Sequence, residues 1–225
     1  MTIDALIDKQ DNAELVRDQI AAILALEVAS QMALAAAAQP PKDPDDWNLR
    51  IYSERSNPSE AFLNEPVTDT SPLVNVWWDS ASYDEAASTV VERQKCEAVF
   101  NIDCYGYGVS ADDPSGGHTP GDKQAALEVH RAIRLVRNIL MAAQYTYLGM
   151  RGVVWQRWPQ AVTIFQPQQD GHQVPQVVGG RLAFRVKFNE LSPQVPTETL
   201  EYLSAQVTRA SDGQILLTAD YDYTV

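Results

Sequence analysis

The sequence predicts an α+β fold: an antiparallel or mixed β-sheet flanked by a long N-terminal helix and a central helix over about residues 123–148. Three patterns carry this prediction. The chain opens on apolar residues spaced three and four apart, runs that alternate with period two follow, and a second helical stretch separates these from a last set of strands. The order helix, strands, helix, strands argues against alternating βαβ units and a purely parallel sheet. With 225 residues, 45% of them hydrophobic, the chain has ample material for one sizeable core. The expected organisation is a single domain over 1–225, with the helix 3–38 and an irregular excursion 40–71 as appendages.

Ile3, Leu6, Ile7, Leu15, Val16, Ile20, Ile23, Leu24, Val28 and Met32 set the period of the first helix. Asp4 and Asp8 suit its N-terminus, and Pro40-Pro41 ends it. Thirty-odd residues at about 1.5 Å each span some 50 Å, more than a domain of this size uses internally, so part of the helix is expected on a neighbour. Residues 42–70 are rich in Pro, Asp, Asn and Ser and hold one short strand candidate, Leu49–Ser53. Leu73–Trp78 and Cys96–Gly106 are the clearest strands. The second sets Ala98, Phe100, Ile102 and Cys104 on a buried face, against Glu97, Asn101 and Asp103 on a polar one.

Turn formers fill 111–122, with Asp122 at the start of the central helix. Leu127, Ile133, Val136, Ile139 and Leu140 form that helix's expected core stripe, and Gly149 is its expected C-cap. Val153–Phe165 and Leu182–Asn189 alternate as strands. A last strand pair, 200–209 and 214–223, turns at Ser211-Asp212-Gly213, where Asp-Gly tolerates positive φ.

Charge is unevenly distributed within a formal net of -13. Residues 1–128 hold 8 Lys/Arg against 23 Asp/Glu, residues 129–187 hold 8 against Asp170 alone, and residues 188–225 hold 1 against 6. This disfavours non-specific binding of nucleic acid or anionic membrane by the whole surface. Arg131, Arg134 and Arg137, three apart, form one slanted helix ridge. Three readings stay open for it: a solvated face paired with acids of the same chain, a subunit interface where acidic and basic regions meet head to tail, and a local nucleic-acid contact. The acidic N-terminus lacks the basic n-region of a secretory signal. No run of about 18 uninterrupted apolar residues occurs, so a soluble chain without membrane partners is expected. Cys96 and Cys104 are the only cysteines; on one strand they lie roughly 26 Å apart and cannot pair.

Motifs for catalysis are missing. The sequence has no G-x-S-x-G elbow, H-E-x-x-H, phosphate-loop or dinucleotide-binding fingerprint. Ser115-Gly116-Gly117-His118 lacks the lysine and context of a phosphate loop, and Asp112-Asp113 lacks the alternate oxygens of a calcium loop. His118, His130 and His172 show no metal-ligand spacing. No catalytic residue, metal or cofactor is therefore assigned. Trp77 and Trp78, adjacent on a strand, must point to opposite faces, so one either faces a partner or lies under the N-terminal helix.

The runs PLVNVWWDS, ERQKCEAVFNIDCYGYG, GDKQAALEVHRAIRLVRNILMAAQYTYLGM, VVWQRW and RLAFRVKFNELSPQ, over roughly residues 70–195, resemble the layout of tail terminator, or tail-completion, proteins of long-tailed bacteriophages. The resemblance implies a small α+β subunit of a ring, expected to be hexameric. Such a ring caps the tail tube, stops its polymerisation and joins the tail to the head. Implied partners are further copies of the chain, the tail tube protein and a neck or head-completion protein, with the tail sheath as a further candidate. DNA enters only as cargo through the lumen, an acidic chain being suited to line its path. The implied location is the virion tail or neck, after assembly in the host cytoplasm. The long N-terminal helix and the 40–71 excursion depart from the smallest members and leave a neighbouring neck or connector position open. Two other classes stay in view: a non-viral oligomeric module with a ligand in the sheet–helix crevice, and an enzyme whose site the motifs do not reveal.

Overall fold

The computed structural model describes residues 10–62, 69–84, 93–112, 117–169, 172–173, 176–191, 202–208 and 215–222. The chain divides into two compact units, Lys9–Ser192, and Met1–Asp8 with Pro193–Val225.

The larger unit is α+β. Its elements run α1 (Asn12–Ala37), β1 (Arg50–Ser53), β2 (Leu73–Tyr83), β3 (Arg93–Tyr107), the short pair β4 (Ala111–Asp112) and β5 (His118–Thr119), α2 (Gly121–Met141), β6 (Val154–Phe165), the short pair β7 (Gln168–Gln169) and β8 (His172–Gln173), and β9 (Val177–Leu191). One five-stranded sheet has the order β1-β2-β3-β9-β6. Only the β1–β2 pair is parallel, so the sheet is mixed. In the smaller unit β10 (Tyr202–Thr208) and β11 (Ile215–Asp222) form an antiparallel ribbon.

Both helices pack on one face of the sheet. Alternation puts Val74 and Val76 of β2, Ala98, Phe100, Ile102 and Cys104 of β3, and Leu182, Phe184, Val186 and Phe188 of β9 on that face, all at 0% exposure. Val16, Ile20, Ile23, Leu24 and Val28 of α1 and Val129, Ala132, Ile133, Val136 and Leu140 of α2 close the core from above. α1 begins at Asp11, whose amide donates to Glu14 Oε2 at 3.0 Å, so Glu14 satisfies a free donor of the first turn. The start expected at residue 3 lies outside the described residues. By length and mean hydropathy, 26 residues at 1.8, α1 does qualify as a membrane-crossing candidate, which a count of uninterrupted apolar residues misses. Its apolar stripe is nevertheless occupied by the sheet.

Two expectations for α2 are corrected. Leu127 is 58% exposed, and the buried stripe runs through Ala125, Val129, Ala132, Ile133, Val136 and Leu140. Small residues meet the sheet because the approach is tight: a Cβ on Gly108 would lie 2.0 Å from the Gly121 carbonyl oxygen, and one on Gly106 would lie 2.4 Å from that of Ala125. Second, the helix stops at Met141, seven residues short of the expected end, where Ala142 turns extended (φ -60, ψ 141). Arg157 of β6 caps the break, donating from Nη2 to the Ala142 carbonyl at 2.8 Å and from Nε to that of Tyr145. Burial lowers the Arg157 pKa. Gly149 adopts positive φ (71) in the following turn and caps no helix.

Within 40–71, short 3-10 turns at Pro44–Trp47 and Pro58–Phe62 flank β1. The strand candidate is found one residue shorter than expected.

Candidate assembly surfaces

Neither α1 nor α2 covers the opposite face of the sheet; the 3-10 turn Pro58–Phe62 closes one end of it, where Phe62 is buried with Leu73, Tyr105 and Val177. Alternation brings Trp77 of β2, Asn101 and Asp103 of β3, Arg181, Arg185 and Lys187 of β9 and Trp158 of β6 to it. The sequence pattern predicts an exposed polar face here, yet Asn75, Asn101 and Asp103 are all buried, at 3 to 4% exposure.

Asp103 is the centre of this face. Its Oδ1 accepts from Arg181 Nε at 2.7 Å, and its Oδ2 accepts from Arg181 Nη2 at 2.9 Å and Trp77 Nε1 at 2.9 Å. The two-pronged pairing fixes the guanidinium plane, which lies 4.9 Å from the Trp77 ring centroid and 5.8 Å from that of Phe165. Hydrogen bonding to Asp103 raises the Arg181 pKa. Beside this group, Asn75 replaces a missing strand. Its Oδ1 accepts from the Arg55 amide and its Nδ2 donates to the Arg55 carbonyl, both at 3.0 Å, which ties the segment after β1 to the sheet. Arg55, Asn75, Trp77, Asp103, Tyr105 and Arg181 line an open cavity of 340 Å³.

A second ladder lies further along β9. Glu97 pairs with Arg185 at 2.7 Å and Lys187 at 3.2 Å, and these cations lie 5.5 and 5.4 Å from the Trp158 ring centroid. Two cations share one acid, so the ladder keeps positive charge.

The arginine ridge divides. Arg131 is turned inward: it pairs with Glu128 Oε2 at 2.6 Å and donates to the Asp46 carbonyl, joining α2 to the 3-10 turn that follows α1. For this residue the reading of a cation paired within its own chain holds. Arg134 and Arg137 are exposed. Between the turn that follows α2 and α1, Tyr145 donates to Glu27 Oε1 at 2.5 Å, a bond that raises the phenol pKa.

Trp77 and Trp78 do take opposite faces, paired with Asn101 and Phe100. Both are half-buried. Trp77 has Asp103, whereas Trp78 lies against the helix-side core and its Nε1 is buried with no hydrogen-bond partner among the described residues. Cys96 and Cys104 share β3 as expected, buried and unpaired. Burial pushes the Cys96 thiol up to about 12 and raises that of Cys104 as well.

His118 is exposed, its Nδ1 2.8 Å from Asp112 Oδ1. His130 is exposed on α2. Ser115 and Gly116 of the glycine-rich turn and Asp113 lie outside the described residues, as does the side chain of His172. Among the described residues no three His, Cys, Asp or Glu side chains are grouped to hold a metal ion.

The sheet ends in two edge strands, β1 and β6. On β6, Gln160 through Ile164 are exposed in succession, with Val162 at 50% and Ile164 at 45%, so neither face of that segment is covered. No family model matches the chain, and no curated protein matches its sequence.

Proposed function

We propose that this chain is a structural virion subunit of the tail terminator class, forming a closed ring, six copies being the expected number, that caps the tail tube and joins it to the neck. The observation that carries the reading is charge segregation. The block 129–187 has one acid against eight cations, whereas residues 1–128 have a large acidic excess. On the fold, Arg134 and Arg137 expose that basic block on α2, while Asp43, Asp45 and Asp46 expose the acidic one between α1 and β1. Unlike patches on one subunit favour a heterologous contact, the kind that closes into rings. The element layout over 70–195 supports the same class by resemblance, as does an α+β subunit whose polar groups are engaged with one another.

Native mass spectrometry with negative-stain imaging over a concentration series tests the reading. A closed ring of defined copy number is expected. A monomer at every concentration would count against a self-closing ring and turn attention to the cavity beside Asp103 and Arg181 as a ligand site, the feature that favours a binding module as the second reading.

A further inference from the structure

We infer that subunits join by continuing the sheet, the β6 edge of one copy pairing antiparallel with the β1 edge of the next. The inference rests on the ring reading for its biological setting, but not for its geometry. Monomeric sheet proteins blunt their terminal strands with charges, covering elements or bulges. Along β6 the bulges fall at Val154/Gln156 and Pro159/Ala161, ahead of the segment Ala161–Phe165. From Trp158 to Gln169 no residue is charged, and AVTIF is β-branched or aromatic in four of its five positions. Exposed on both faces and, among the described residues, paired on one side alone, with β9, this segment is a template for another strand.

The occupant follows from the other edge. β1 pairs with β2 through the amides of Arg50, donated to the Pro72 carbonyl at 2.9 Å, and Glu54, donated to the Val76 carbonyl at 3.0 Å. Alternation therefore turns the amides of Ile51 and Ser53 outward. The two edges differ in charge. Residues 40–69, around β1, hold three cations against seven acids, and residues 129–187, around β6, are the basic block. Two β6 edges would bring like charges together, whereas β6 against β1 brings unlike ones. Direction agrees as well. β1 and β2 are parallel and each later neighbour reverses, so β6 runs opposite to β1 within one sheet. A rotation that keeps the strand direction of every copy then sets β6 antiparallel to the next β1. Four residues of β1 meet part of β6, a short seam that needs several copies to hold.

Hydrogen–deuterium exchange on the wild-type chain, at low and high protein concentration, reads the seam directly. Amides in 160–165 and those of Ile51 and Ser53 are expected to slow together, by about tenfold or more, as the chain associates. The variant V162K/I164K, altered at two half-exposed positions, is expected to associate at least about tenfold more weakly, with an unchanged circular dichroism spectrum. A closed ring in which these amides exchange as they do in the monomer overturns the seam and leaves the ring reading standing. Open chains with both edges protected support the seam and overturn the closed ring. Association that V162K/I164K leaves intact, in a folded variant, also overturns the seam. If that variant fails to fold, exchange on the wild type still decides.

Discussion

Asp103 shows how one side chain sets the character of a whole sheet face. A carboxylate at 3% exposure is tolerated because three donors reach it from two other strands. Asp103→Ala removes the common acceptor and leaves Trp77 Nε1 and Arg181 unmatched. Arg181 is 38% exposed at its side chain and regains water, so the expected loss is about 1–3 kcal/mol in urea unfolding, well below that of a fully buried pair. Glu97→Ala, on the more open ladder, is expected to cost less than about 1 kcal/mol in the same measurement. The two thiols give a pH signature. Their folded pKa values are raised, that of Cys96 from 9.0 to about 12, so the folded state favours the neutral thiol. Stability is fully present below pH 9 and falls as pH rises towards 12, by up to about 1.4 kcal/mol per unit per thiol. Comparison with Cys96→Ala/Cys104→Ala isolates this slope from tyrosine and lysine titration; an equal slope in both proteins would contradict the assignment.

At the scale of elements, the helices show what pattern reading captures and what it misses. The period of α1 was legible because burial on one sheet face selects Val16, Ile20, Ile23, Leu24 and Val28. Leu24→Ala is expected to cost about 2–5 kcal/mol and Leu26→Ala, at a 65% exposed position, under about 0.5 kcal/mol, measured by urea unfolding. The α2 stripe was half legible. Its true face includes Ala132 and Ala125, the latter a small residue whose backbone seats directly on Gly106 and Gly108, and apolar counting gives weight to Leu127 instead. The early end of α2 was hidden because its cause, Arg157, lies on a later strand. Alternation in β3 is legible in the sequence, but not the burial of Asn101 and Asp103, which depends on Trp77 and Arg181 arriving from strands on either side. The arginine ridge was visible as spacing, while its division into an inward Arg131 and outward Arg134 and Arg137 depends on the 3-10 turn that places the Asp46 carbonyl.

For the whole molecule, complementary charge predicts association that salt weakens. Raising ionic strength from about 0.05 to about 0.5 M shortens the screening distance several-fold and is expected to shift the assembly midpoint to higher protein concentration. Arg134→Glu/Arg137→Glu should weaken assembly and leave the monomer folded, since both side chains are exposed. Arg131 is unsuited to that experiment because its replacement breaks an internal tie. Sedimentation velocity of both series checks this; assembly indifferent to salt and to both substitutions would remove the ridge from the interface.

The strand order also carries a schedule. β3 pairs with β9 over fifteen residues in unbroken register, yet β9 begins seventy residues after β3 ends. At about 5–20 residues per second on the ribosome, β3 waits roughly 4–14 s for its partner. In that interval β2 holds one side of it, and α2, whose first turns seat on Gly106 and Gly108, is the next element available to cover its apolar face. The tight glycine seat thus bears on the nascent chain as much as on the finished one, because it lets a helix shelter a central strand before the sheet can close around it.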